Sequence, residues 1–250
     1  MKWPTKQDFG RKSSLAVLLL SSALMLQTSA ARSQNPAAST DKTAIAPPTQ
    51  DGDRTSLPVA EPQLPPCTIL DARNATAPPR FEVKARKGAP NVLLVLLDDM
   101  GFGQPSAFGG PINMPNLEAV ANNGIKYNDF HTTALCSPTR AALLSGRNHH
   151  RCNMGSVTET ATAFPGQTGQ RPNSVAPLAE ILRLNGYCTA AFGKSHETAA
   201  WELSPSGPTD RWPTRSGFDK FYGFIGGEAN QWAPTVYDGM NQVDVPKTPN

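Results

Sequence analysis

The stretch Val92-Leu93-Leu94-Val95-Leu96-Leu97 is a continuous apolar run, bounded by Pro90 before it and Asp98-Asp99 after it. It shows no alternation, so a strand here would need cover on both faces, which points to a parallel sheet with helices packed against it. The following segments read as the alternation that such a plan demands. Met114 to Ala121 predicts a short helix, with Pro115 near its start and Gly124 just past its end. Ile125, Tyr127 and Phe130 mark a second strand. Pro138 opens a helix that begins at Cys136, Ala141 to Leu144 propagate it, and Gly146 stops it. A polar, loop-like stretch follows, from about Asn148 to Arg171. Asn173-Ser174 then caps a helix with Val175, Leu178, Ile181 and Leu182 at helical spacing, ending at Asn185-Gly186. Tyr187 to Phe192 and Phe221 to Ile225 supply a third and a fourth strand. The expected fold class is α/β: a layered, mostly parallel sheet flanked by helices, with right-handed crossovers.

The segments before this domain are of another kind. Residues 1–30 join a basic start to an apolar run from Leu15 to Leu26 and small residues at the exit, Thr28-Ser29-Ala30-Ala31. That is the pattern of a secretory signal peptide, too short for a membrane span, and it implies a periplasmic or secreted protein. Lys2, Lys6, Arg11 and Lys12 against Asp8 account for the formal charge of +3. The exported part is therefore close to neutral, and nothing in its balance suggests nucleic acid or an acidic membrane surface as a partner. Residues 31–90 are rich in Pro, Ala, Thr and Asp and read as a linker or an extended arm. Residues 91–250 form the domain. Four cysteines remain after export: Cys67, Cys136, Cys152 and Cys188. In an oxidising compartment two disulfides would consume Cys136, so that reading competes with any chemistry at its sulfur.

Three polar clusters fall at the ends of predicted strands, where open α/β sheets gather ligands. Asp98 and Asp99 repel each other unless a cation sits between them, and hard oxygen donors suit Ca2+ or Mg2+ better than zinc. Taken alone, the pair also fits a turn and a helix cap. Cys136 stands at a helix N-terminus, where unpaired N–H groups and the helix dipole favour an anion, with Arg140 one turn further in. Lys194 and His196, two residues apart in Gly193-Lys194-Ser195-His196, could both face an anion; taken alone, they also fit a surface lysine and a packed histidine.

These residues carry a resemblance to the sulfatases. Cys136, Pro138 and Arg140, followed by a short apolar helix and Gly146-Arg147, resemble the sulfatase signature, with Ser145 where threonine is usual. Asn91 to Gly103 resembles the first strand and metal aspartates of the family. Gly193-Lys194-Ser195-His196 resembles its Gly-Lys-Trp-His element, with Ser195 in place of tryptophan. Phe130-His131-Thr132 and His149-His150 are similar to stretches of bacterial arylsulfatases.

The resemblance implies an alkaline phosphatase/sulfatase-like fold and the hydrolysis of sulfate esters. It implies that Cys136 is oxidised to formylglycine by a formylglycine-generating or other sulfatase-maturing enzyme. Asp98, Asp99 and residue 136 would be ligands of a divalent cation, Ca2+ or alternatively Mg2+. The hydrated aldehyde would attack sulfur while Arg140 and Lys194 neutralise the sulfate oxygens and His196 takes a proton.

The family's further metal ligands, second substrate histidine and second lysine are not found here, so the chain is expected to be the N-terminal part of a longer enzyme. Alternatives are a phosphonate or phosphate ester hydrolase on the same site, a metal-incompetent binding module, and a disulfide-linked α/β domain. His149 and His150 are read as structural. Trp201 and Trp212, in the loop from Glu197 to Arg215, could rim a pocket or simply pack.

Overall fold

The computed structural model describes residues 53–245 except 65, 67, 76, 78 and 79. The expected signal peptide, the first part of the arm and Cys67 lie outside the described residues. Residues 87–96 fall in one compact unit; residues 53–86 and 97–245 fall in another, which holds every element described below.

The helices are α1 (Pro115–Asn122), α2 (Cys136–Ser145) and α3 (Leu178–Leu184); the strands are β1 (Ala190–Lys194), β2 (Lys220–Phe224), β3 (Val236–Asp238) and β4 (Asn241–Val243). Helix α2 follows its local code. Pro138 sits in its first turn, and Gly146 closes it at φ 66°, a left-handed conformation that only glycine takes without cost. Helix α3 starts later than Asn173-Ser174 suggests. Pro177 is its N-cap, extended at φ −71° and ψ 150°, and a residue before proline is disfavoured from helical geometry, so the helix can begin only beyond Ala176-Pro177.

The α/β class holds, with a mixed sheet in the order β1-β2-β3-β4. Within this sheet only β1 and β2 pair parallel, in register from Ala190 opposite Lys220 to Lys194 opposite Phe224. The strands β2–β3 and β3–β4 pair antiparallel. Gly239 supplies the positive φ (63°) at the first position of the tight β3–β4 turn.

Two expected strands do not form. Residues 91–97 make no β-ladder, and Val92 to Leu97 are all exposed. Ile125, Tyr127 and Phe130 are likewise irregular and exposed. An apolar run demands cover, but a ladder needs hydrogen-bonding neighbours that the run cannot itself provide.

Two clusters of buried side chains hold the unit. Ala141 of α2 meets Cys152, Met154 and Val175. Trp212, Phe221, Ile225 and Tyr237 pack beside the sheet, with Ala191 and Leu203 against them. Trp212 is fully buried, its indole N–H donating to the Glu202 carbonyl at 2.7 Å. It therefore packs rather than rimming a pocket, whereas Trp201 is exposed. The carboxylate of Glu202, 2% exposed, accepts from Arg211 at 2.8 Å and from Gln170 at 3.1 Å. The arm is tied down near α3: Arg54 donates to the carbonyls of Asn185 (2.8 Å) and Lys84 (2.6 Å), and the Ala85 N–H donates to Gly186 (3.1 Å). Among the described residues Cys136, Cys152 and Cys188 are all unbridged.

Arg211→Ala leaves the Glu202 carboxylate buried without its countercharge, and is expected to destabilise the fold by about 3 kcal/mol. Urea unfolding should show a lower midpoint at unchanged slope.

Candidate active site

Arg140 projects from α2 into a largely buried position, its side chain 10% exposed. Its guanidinium donates through Nη1 to the backbone carbonyl of Lys194 at 2.7 Å and through Nη2 to Asp98 Oδ1 at 3.2 Å. Lys194, the last residue of β1, donates from Nζ to Asp98 Oδ2 at 2.8 Å. A helix, a strand end and the turn at Asp98 thus meet through one carboxylate and two cations. Partial burial raises the Asp98 carboxyl, but the hydrogen bonds and charges of Lys194 and Arg140 outweigh it and hold the group below its ordinary range.

Cys136 is the first residue of α2 and is half-buried; Ser137 and Pro138 behind it are buried. Ser137 Oγ and Arg140 Nε are buried without a hydrogen-bond partner. Asp99 is exposed, at φ 53°, and shares no partner with Asp98. Oxygen donors of this kind suit a hard cation, yet among the described residues no three His, Cys, Asp or Glu side chains gather as a cation site. Asp98, Asp99 and Cys136 do not by themselves complete one.

His196 continues the β1–β2 pairing, its N–H donating to the Ile225 carbonyl at 3.0 Å, but at φ 54°. Its ring is buried and joined through Nε2 to Glu159 at 2.8 Å rather than to Asp98. Burial lowers the imidazole below its ordinary value, the charges of Lys194 and Arg140 add to that, and Glu159 opposes both. Glu197, next in the chain, is half-buried. Burial of its carboxyl pushes it up to about 7, against the attraction of Arg171 and Arg140. His149 Nδ1–H donates to the Met154 carbonyl at 3.1 Å, and its ring lies against that of His150.

The structure therefore brings together Asp98, Arg140 and Lys194, each named from the sequence. It sets His196 on a partner, Glu159, that no spacing announced. The two are 37 residues apart and Glu159 lies in a polar loop, so only the folded chain shows the pair.

The Sulfatase family profile matches residues 90–247. The chain is 37% identical over 160 residues to an uncharacterized sulfatase of Schizosaccharomyces pombe, covering 61% of this chain and 27% of that one. It is 36% identical over 139 residues to human steryl-sulfatase, covering 54% and 23%. It is 31% identical over 154 residues to the arylsulfatase of Klebsiella aerogenes, covering 61% and 32%. The fold and the match define the class: an α/β chain of the sulfatase kind. The chain belongs to the Sulfatase family, and spans about a quarter to a third of the length of these relatives.

The raised carboxyl of Glu197 has a direct consequence for stability. In the folded chain it stays protonated up to about 7, whereas a free carboxyl starts from 4.5. Its contribution is therefore fully present below the lower value and is lost as pH rises through the upper one. From pH 5 to pH 8 the wild type should lose on the order of 2 kcal/mol relative to Glu197→Gln. Parallel urea titrations at the two pH values measure that difference.

Proposed function

We propose that this chain carries the nucleophile-bearing part of an exported arylsulfatase-like enzyme that hydrolyses sulfate esters of small molecules. The observation that carries the reading is the convergence of Arg140 and Lys194 on one carboxylate, with Arg140 anchored on the helix that begins at Cys136. Two cations against one carboxylate leave a net positive site, and the first N–H groups of α2 add donors that an anion satisfies. The buried, unpartnered Arg140 Nε and Ser137 Oγ are further polar atoms that call for a partner.

In this reading Cys136 is the precursor of formylglycine, installed by a formylglycine-generating or other sulfatase-maturing enzyme. As an aldehyde, residue 136 supplies a diol nucleophile whose second oxygen allows sulfate to be expelled, where a serine would keep a stable ester. Arg140 and Lys194 orient the sulfate and neutralise its non-bridging oxygens as charge shifts toward the leaving group. His196, neutral because burial and the neighbouring cations keep its imidazole low, accepts a proton. Asp98 and Asp99 would hold a divalent cation, Ca2+ or alternatively Mg2+, with oxygen ligands from beyond these residues, and that ion would offset the negative charge of the sulfate. An exported, periplasmic or secreted setting follows from the leader-like residues 1–30. Among the described residues no helix is long and apolar enough to cross a membrane.

The test is twofold. Coexpression with a maturing enzyme should make residue 136 react with an aldehyde probe, and mass mapping of its tryptic peptide should locate the modification. Turnover of an aryl sulfate by the matured protein should fall by at least about a thousandfold in Cys136→Ala and by a hundredfold or more in Lys194→Met. A peptide in which Cys136 remains a thiol or is bridged, or a preference for an aryl phosphonate over the sulfate, would refute the reading.

A further inference from the structure

Glu159 has no part in the reaction outlined above. It belongs to the single turn Thr158–Thr160, in a loop that the sequence presents as merely polar. Its Oε2 lies 2.8 Å from His196 Nε2. A carboxylate accepts, so Nε2 carries the proton and Nδ1 is left with the lone pair. Nδ1 is buried and has no hydrogen-bond partner.

Three independent features hold this arrangement. His196 is 3% exposed and adopts φ 54°, an uncommon conformation for a residue with a side chain, fixed by its backbone bond to Ile225. Gly227 lies flat against the pair. A Cβ there would come within 2.6 Å of His196 Cε1 and Nε2 and 2.9 Å of Glu159 Oε1, so only glycine leaves room for the contact. On the other side the buried Thr158 hydroxyl donates to Glu159 Oε2 at 3.2 Å. A carboxylate satisfied by a hydroxyl and an imidazole, with a glycine cut away beside it, is a built contact rather than a chance surface pair. The charged groups acting on His196 are Glu159, Lys194 and Arg140, and Glu159 alone favours the imidazolium.

We propose that Glu159 is the positioning residue of His196: it holds the proton on Nε2, presents Nδ1 as the ring's proton acceptor, and stabilises the imidazolium that forms when Nδ1 is protonated. The proton taken up by Nδ1 is that of the second hydroxyl of residue 136, released as the carbonyl re-forms and the C–O bond to sulfate breaks; it then passes from Nδ1 to the departing sulfate or to solvent, and Glu159 stays ionised throughout. The role of His196 in turnover rests on the function proposed above, but the state of its ring does not.

The experiment therefore reads the two separately in the full chain. Titration of the 15N-labelled protein, with the His196 signals assigned by their loss in His196→Gln, should show the Nε2–H tautomer in the wild type. Glu159→Gln can still accept from Nε2–H but lacks the charge, so the tautomer should persist while the midpoint falls by about one pH unit. Glu159→Ala and Gly227→Ala should lose the tautomer preference. In the matured protein the acid limb of kcat/KM should move down with the midpoint in Glu159→Gln, with kcat reduced about tenfold at unchanged KM. An unchanged tautomer and midpoint in Glu159→Ala, or unchanged kinetics despite a shifted midpoint, would overturn the proposal. A shifted ring in a protein that hydrolyses no sulfate ester would uphold the contact and sink the sulfatase reading instead.

Discussion

The buried guanidinium of Arg140 is the constraint on which the site depends. A charge in that position must be paired and hydrogen-bonded, or the fold carries the full cost of its desolvation. Its two partners, the Lys194 carbonyl and the Asp98 carboxylate, come from stretches 54 and 42 residues away. One side chain therefore sets the first turns of α2 against the end of β1 and the turn at Asp98. Because Asp98 also takes Lys194, the three side chains together keep one net positive charge.

The packing behind this cluster explains how a strand end can send two side chains, Lys194 and His196, to different partners. The buried group around Trp212, Phe221, Ile225 and Tyr237 fixes β2, and the parallel register then fixes β1 up to Lys194. Beyond the ladder the backbone turns into left-handed geometry at His196. That single conformation separates the directions of Lys194 and His196, sending one to Asp98 and the other to Glu159. Regular strand geometry would place residues two apart on one face. The uncommon φ is what assigns them different partners.

Some of this was legible in the residues alone. Helix α2 was, because its determinants are local: Pro138 at the start, Ala141 to Leu144 within, Gly146 at the end. Strands β1 and β2 overlap the apolar runs that predict them but with edges displaced by a few residues, since strand limits depend on the neighbour as much as on the residues themselves. The start of α3 lies beyond Asn173-Ser174 because Pro177 restricts the residue before it, which overrides the cap chemistry of that pair. The run Val92 to Leu97 departs from its expected strand for a different reason. Its composition states a preference for burial but names no partner, and a ladder exists only where a second strand supplies one.

By itself the sequence determined which residue types stand at the helix mouth and the strand ends: Cys136, Arg140, Asp98, Asp99, Lys194 and His196. Local chemistry sufficed, since signature spacing, helix caps and paired carboxylates are all written within a few residues. Only the tertiary structure decided who meets whom. It gave Asp98 to Arg140 and Lys194, left Asp99 exposed, pressed Gly227 against the His196 ring and turned that ring to Glu159. Such contacts join residues tens of positions apart, and their geometry is fixed by packing and burial that no short stretch of chain encodes.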